Sequence, residues 1–391
     1  VNVLEANDNL NQHRVLFALP ILGHPRHAKR ISMMKEAGFD VEAVAFKRPY
    51  HQGRMPDCPV ATLGSISHGN YLKRIFKFIK ALPKLRKAIK KHDLVFAFGP
   101  DMAIACLVAN FLLGKKLIFE VGDITSAQLS PGLKGWVTRK IDRYVADRAG
   151  AIVATSPRFL DEYYSKWVKT KTPGLLIENK LEHAFCKKME LELSETAPLP
   201  GTPLKDRPLK IGYFGYLRNQ WSLEVLERLV TKYPDKFEIV IAGYPKESTK
   251  DTLDRVSLLD NIDYRGEYKS PDDLPGLFGS VDMVWACYQP LRDDEWGYLW
   301  ARPNRFYQGC LFRKPFFSRA KCQDAIIIAE RNIGKIISEV GIDETVDSVS
   351  SLTASDVETW SSNMRAIPDK IFAYTTEVAE LKSTIDNILA S

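Results

Sequence analysis

The sequence predicts an α/β protein built from two doubly wound domains that face a cleft. Three observations carry this. At 391 residues the chain exceeds one typical core, so two domains is the natural division. Short apolar strands alternate with helical segments, and the first strand is mostly apolar on both sides, as in parallel sheets covered on both faces. The alternation stops at a Pro-rich, aperiodic stretch, Leu193 to Pro208, and then starts again. The expected division is a first domain over 1–190, a linker over 191–208 and a second domain over 209–365. A C-terminal helix within 366–391 is expected to pack back on the first domain.

In order, His13 to Pro20 is the first buried strand, followed by the loop I-L-G-H-P-R-H and a helix from about Ala28 to Ala37 that Gly38 closes. Phe39 to Phe46 is the second strand. Asn70 to Lys91 has helical spacing, with an interruption expected at Pro83. Asp93 to Phe98 and Lys116 to Val121 are strands flanking a buried helix, Met102 to Leu113, which is too short to span a bilayer. Ala151 to Thr155 is a strand leading to a helix through Tyr164, and Leu175 to Glu178 is a short strand. In the second series the strands are Leu209 to Phe214, Phe237 to Ala242, Ile262 to Arg265 and Met283 to Cys287. Helices fall at Ser222 to Lys232 and Leu274 to Gly279, and another begins near Pro303. Short strands at Phe316-Phe317 and Ile336-Ile337 and two helices between Ala354 and Ala390 complete the series.

Composition excludes several classes. Six scattered cysteines without a C-x-x-C pair make neither a zinc framework nor a disulfide scaffold, and buried reduced thiols in a cytosolic chain are expected. No secretory leader pattern stands at the N-terminus. The formal charge of +7 is concentrated: nine Lys and Arg lie between Lys73 and Lys91, and no acid occurs between Cys58 and His92. Interleaved with Leu72, Ile75, Phe76 and Ile79, these residues make a basic amphipathic helix. Lys73, Arg74, Lys77, Lys80, Lys84 and Lys87 suit an anionic membrane face; the plain alternative is a helix that buries its apolar stripe and solvates its charges. No groove-reading or aromatic-interleaved motif supports nucleic acid.

The chemistry is expected at strand ends, where open α/β sheets bind ligands. Tyr288 to Pro315 leaves a strand, passes through a charged aromatic loop and enters a helix whose first turn holds Arg305, a position favourable to anions. Asp293-Asp294 in that loop reads as a solvated pair rather than a metal site. Asp123 follows the strand Lys116 to Val121 and is the candidate base, with a helix N-cap as the competing role. His24, Arg26 and His27 follow the first strand and are candidates for the acceptor side.

From Lys210 to Ala320 the ordered segments G-Y-F-G-Y-L, I-V-I-A-G, N-I-D-Y-R-G-E-Y, V-D-M-V-W-A-C-Y and P-N-R-F-Y-Q-G-C-L-F-R-K-P resemble the nucleotide-sugar domain of GT-B fold glycosyltransferases, which are two Rossmann-like domains. The retaining, family 4-like group has a glutamate pair eight residues apart, where this chain has Trp300 and Gln308, and often a His before Asp, where it has Gly122. The chain resembles more the inverting glucuronosyltransferase family of xanthan assembly. That likeness rests on Gly122-Asp123, Gly266-Glu267-Tyr268-Lys269, Tyr288, and Arg305 with Gln308 three residues on.

The resemblance implies transfer of a sugar from a nucleotide-sugar, a UDP-sugar first, to a lipid-linked saccharide at the inner membrane face, in bacterial surface polysaccharide synthesis. Asp123 would be the base, with Gly215, Leu217, Arg218, Glu267, Tyr268, Tyr288, Arg305 and Gln308 on the donor side and His24 and Arg26 on the acceptor side. No metal or other cofactor is expected. A retaining transferase, a nucleotide-sugar epimerase and a non-catalytic sugar- or lipid-binding scaffold stay open as alternatives.

Overall fold

A computed structural model describes residues 12–47, 54–66, 71–195, 204–290 and 299–391. The chain divides into two compact units: Val1–Glu178 with Thr376–Ser391, and Asn179–Thr375. The first boundary therefore falls between Glu178 and Asn179 rather than after 190, and the second between Thr375 and Thr376 rather than after 365. The reason lies in the backbone: Leu181 and Ala373 form a parallel bridge, so the segments on either side of the expected linker and tail belong to the second unit. Residues 196–203 of the Pro-rich linker lie outside the described residues.

The first unit holds a parallel seven-stranded sheet, order β3-β2-β1-β4-β5-β6-β7. Its strands are β1 (Arg14–Leu19), β2 (Asp40–Lys47), β3 (Val60–Ser65), β4 (Leu94–Phe98), β5 (Lys116–Val121), β6 (Ala151–Ala154) and β7 (Gly174–Leu176). Every residue of β4 and β6 is buried, which is why these strands are continuous apolar runs rather than alternating ones. The edge strand β3 was not legible: most of it is exposed and it includes Gly64, so neither alternation nor an apolar run marks it.

The helices of this unit are α1 (Pro25–Glu36), α2 (Tyr71–Ile89), α3 (Gly99–Ala109), α4 (Ser126–Leu129) and α5 (Gly132–Ala146), with a π-type helix at Phe159–Val168 and the C-terminal helix Glu377–Ala390. α1 starts three residues before the expected Ala28, because Pro25 is compatible with a first turn and His24 caps it. α2 runs unbroken through Pro83. Pro83 is exposed, and Ala81, Leu85 and Ile89, one turn apart and buried, hold the helix on either side of the lost hydrogen bond. The C-terminal helix packs against α1, with Leu381 and Ile385 fully buried and Lys382 5.5 Å from the ring centre of Phe39.

The second unit holds a parallel six-stranded sheet, order β10-β9-β8-β11-β12-β13. The strands are β8 (Leu209–Leu217), β9 (Phe237–Pro245), β10 (Ile262–Tyr264), β11 (Met283–Trp285), β12 (Phe316–Arg319) and β13 (Gly334–Ile337). Its helices are α6 (His183–Glu195), α7 (Gln220–Lys232), α8 (Lys250–Val256), α9 (Leu274–Gly279), α10 (Asn304–Leu311), α11 (Gln323–Glu330), α12 (Ile342–Ser350) and α13 (Ala354–Arg365). In each sheet the strand order reverses once, between β1 and β4 and between β8 and β11. Such reversals open a crevice at the carboxyl ends of the strands.

Candidate functional site

In the first unit the functional candidates gather where β5 ends. Asp123 is exposed, and its Oδ1 accepts a hydrogen bond from the Ile124 N–H at 2.9 Å. It is not the N-cap of the following helix: Thr125 holds that position, and Gln128 Oε1 accepts from both the Thr125 N–H (2.8 Å) and its hydroxyl (2.9 Å). The capping alternative for Asp123 therefore falls away. Gln128 in turn donates to the buried carboxylate of Asp142 at 2.7 Å, which also accepts from the Tyr163 hydroxyl. Burial pushes the Asp142 carboxyl up, and these two donors offset part of that rise. The Asp123 loop is thus fixed from behind by a buried polar chain.

Gly122 has a specific cause. The Arg26 guanidinium donates to the Gly122 carbonyl at 2.9 Å, and a Cβ on Gly122 would lie 1.8 Å from Arg26 Nη1. The space that a side chain at 122 would take is filled by Arg26, reaching across from the first turn of α1. Arg26 also stands 3.9 Å from Glu120, which is fully buried and paired with Arg30 at 2.8 and 3.3 Å. His24 spends its Nδ1 accepting from the Arg26 N–H at 3.3 Å. His27 does not face outward as expected. It is buried against Phe98 with Nδ1 3.1 Å from the Ile21 carbonyl oxygen, and burial followed by the charges of His24 and Arg26 holds its pKa well below the ordinary value. Helical geometry accounts for this: Arg26 and His27 are adjacent in α1 and point to different sides.

In the second unit the candidates meet at the reversal between β8 and β11. Arg305, in the first turn of α10, donates to the Trp285 carbonyl at 3.2 Å and lies over the ring of Tyr213 at 5.2 Å. Burial pushes the phenols of Tyr213, Tyr268 and Tyr288 up, and Arg305 pulls each partly back; Arg218 does the same at Tyr213 and Tyr288. One guanidinium thus serves three tyrosines drawn from β8, the loop after β10 and the end of β11. The Tyr268 hydroxyl is 4.0 Å from where a Gly215 Cβ would stand. Gly243 beside it, at φ +134°, has no room for a Cβ, which would fall 1.8 Å from the Gly215 carbonyl oxygen. Glu267 is exposed next to Tyr268, and Gln308 is buried one turn beyond Arg305.

One donor-side candidate is corrected. Leu217 is fully buried in the core with Tyr213, Leu223 and Leu226, so its side chain lines no binding surface; only its backbone stands at the strand end. Two residues were missed. Tyr213 looked like an ordinary strand residue. Arg319, 4% exposed, stacks on Trp221 at 4.5 Å and donates to the carbonyls of Tyr288, Ile337 and Glu339 at 3.1, 3.2 and 2.6 Å. Its one visible signal was an arginine at the end of an apolar strand. The Asp293-Asp294 pair lies outside the described residues. Among the described residues no group of three or more His, Cys, Asp or Glu could hold a metal ion.

The first half of the basic helix α2 departs from the plain alternative of a buried apolar stripe. Arg74 is paired with Asp101, and Lys77 is turned to the Ser65 carbonyl at 2.6 Å, while Lys80, Lys84 and Lys87 are exposed. The side chain of Lys73 lies outside the described residues. Ile75, Phe76 and Ile79 are each more than half exposed, so the apolar stripe of the first half of α2 does not pack on the sheet. Among the described residues no helix is long and apolar enough to cross a membrane.

Residues 28–170 match the glycosyl transferase 4-like domain model. The chain is 26% identical to the succinoglycan biosynthesis protein ExoL of Rhizobium meliloti, over 87% of this chain and 85% of that one. In fold it is similar to Anabaena HepE, solved in complex with UDP, with a TM-score of 0.68 at 15% identity over 96% of this chain and 100% of that one. It is also similar to sucrose-phosphate synthase from Thermosynechococcus elongatus, with a TM-score of 0.70 at 11% identity over 96% and 99% of the two chains. The domain match falls on the first half, although the ordered sequence signs were in the second. With the two parallel sheets, these likenesses give the chain the GT-B architecture and the enzyme class of a glycosyltransferase.

Proposed function

We propose that this glycosyltransferase moves a sugar from a UDP-sugar to a lipid-linked saccharide in the assembly of a bacterial surface polysaccharide, with inversion at the anomeric carbon. The observation that carries the reading is Arg305, held over Tyr213 at the β8/β11 reversal with Arg218 acting on the same tyrosines. A diphosphate leaving group needs positive charge already in position, and a guanidinium meets phosphate oxygens in a planar fork. Two relatives support the choice of substrates: HepE has been solved with UDP and with UDP-glucose, and ExoL is a succinoglycan biosynthesis protein.

In the proposed step the acceptor hydroxyl gives its proton to the Asp123 carboxylate as its oxygen bonds to the anomeric carbon. The bond from that carbon to the diphosphate oxygen breaks, and UDP leaves with the electron pair toward Arg305. Gln308, Glu267, Tyr268 and Tyr288 serve the donor side, and His24 and Arg26 the acceptor side. The charge comes from arginine, so the step uses no metal. The enzyme works at the inner face of the cell membrane, where Lys80, Lys84 and Lys87 meet anionic lipid. Inversion is favoured over retention because the positions of the retaining carboxylate pair hold Trp300 and Gln308.

A thermal-shift panel tests the reading, since a ligand that binds the folded state raises the melting midpoint. UDP is expected to raise it, GDP, ADP and CMP are not, and Arg305→Ala is expected to abolish the UDP shift. Asp123→Ala is expected to keep that shift and lose transfer. If no nucleotide moves the midpoint, a non-catalytic scaffold on the same fold becomes the better reading.

A further inference from the structure

The first unit carries an apolar stripe that faces away from its own core. On α5, Leu133, Trp136, Val137, Ile141 and Tyr144 recur at helical spacing along one side, and all are exposed. The opposite side, Gly135, Asp142, Val145 and Ala146, is the one buried. A surface helix ordinarily turns its apolar stripe inward and its charges outward; α5 packs inward through a small-residue face and leaves the large residues outside. The same inversion continues next door. α3 packs between α2 and α5. Val108 on α3 and Phe111 and Leu112 at its end are exposed, Leu112 by 84%. Beyond it lie the exposed Ile75, Phe76 and Ile79 of α2. Three neighbouring helices thus show large apolar side chains on their outer sides, an arrangement that marks an interaction surface.

We propose that the outer face of α2, α3 and α5 is a bilayer-docking platform that inserts its apolar side chains among the acyl chains of an anionic membrane. Charge decides the occupant. Lys134, Lys140 and Arg143 accompany the stripe on α5, with Arg148 just past its end, and Lys80, Lys84 and Lys87 do so on α2. Arg143 is partly balanced by Asp147 and Arg74 by Asp101, which leaves the face strongly basic. Cations also sit directly on the aromatic rings: Lys140 is 5.6 Å from the centre of the Trp136 ring, Arg148 is 3.8 Å from that of Tyr144, and Lys80 is 4.8 Å from that of Phe76. An apolar body with a cation at its tip matches the boundary between acyl chains and anionic headgroups. A second copy of the chain would bring the same basic patch against itself across a two-fold axis and repel it.

The platform extends the α2 surface named above to two further helices and adds insertion to charge attraction. It is also joined to the site. Asp142, on the inner side of α5, holds Gln128, and Gln128 holds the loop that carries Asp123. Docking through α5 would thus fix the Asp123 loop relative to the lipid surface. That last step rests on the lipid-linked acceptor proposed above, whereas the docking itself does not.

The test is flotation of the intact chain with vesicles of phosphatidylcholine alone and of phosphatidylcholine mixed with phosphatidylglycerol. Two variants, Leu133→Ser with Trp136→Ser and Phe111→Ser with Leu112→Ser, change only exposed residues; circular dichroism and the UDP thermal shift report whether each is folded. The expected result is binding to the anionic vesicles, with partitioning reduced roughly tenfold or more in each variant, while the UDP response is unchanged. A wild-type chain that stays unbound, or variants that bind as well as wild type, would overturn the proposal. So would a wild-type dimer that the variants convert to monomer without any vesicle binding, since the face would then join two copies. A lost UDP response in the wild type bears on the donor reading alone.

Discussion

At the scale of single residues, the clearest feature is the exchange between Arg26 and Gly122. An arginine from one helix occupies the volume that a side chain on a distant strand end would need. Gly122→Ala is therefore expected to displace the guanidinium rather than break the fold, because the far end of an arginine moves readily. The cost in stability should be about 1 kcal/mol, the size of the lost hydrogen bond. The loss of transfer should be much larger and should appear mainly in the KM for the acceptor. Steady-state kinetics beside a thermal melt would check this; an unchanged acceptor KM would remove Arg26 from the acceptor side. His27, one residue on, belongs to the core instead, where its neutral ring packs on Phe98.

At the scale of elements, α1, β5 and the segment after β7 are joined by one buried charge pair. Arg30 on α1 meets Glu120 on β5 and also donates to the Ile177 carbonyl at 3.1 Å, with both charged side chains at most 1% exposed. Such a pair adds little over apolar residues of the same shape, but removing one partner strands the other. Glu120→Gln is expected to destabilise the protein by about 3–5 kcal/mol, read from urea unfolding. Arg30→Met combined with Glu120→Leu should recover most of that loss. If Glu120→Gln unfolds like wild type, the guanidinium has found another partner and the pair does not hold the strand end. The pair lies directly behind the Asp123 loop, so its loss should also lower transfer.

At the scale of the whole molecule, the chain leaves its first unit, builds the second and returns. The last helix follows the second unit in sequence but completes the first, with Leu381, Ile385 and Ile388 buried and Ile388 against Gly150. Fully burying such side chains is worth about 1.5–3 kcal/mol each, a large share of the roughly 5–15 kcal/mol that stabilises a domain. Deleting 376–391 is therefore expected to leave the first unit open to limited proteolysis while the UDP thermal shift of the second unit survives. Loss of the UDP response together with protease resistance of the first unit would contradict this division.

The sequence by itself determined the α/β class, nearly all the central strands and the existence of two units. These follow from local patterns: apolar runs of strand length, and Pro and Gly punctuation. The edge strand β3 escaped because it buries too little to leave a pattern, and the boundary at Glu178 escaped because a bridge between Leu181 and Ala373 joins residues far apart in the chain. Only the tertiary structure decided which side of a helix is the outside. No helix was expected over 132–146, and packing against α3 and the π-type helix turns Leu133, Trp136, Val137, Ile141 and Tyr144 of α5 outward. It also decided that Leu217 belongs to the core, that Thr125 rather than Asp123 caps α4, and that Gly122 leaves its space to Arg26. Each of these is a relation between residues distant in sequence, and periodicity carries no information about which distant residue will fill a given space.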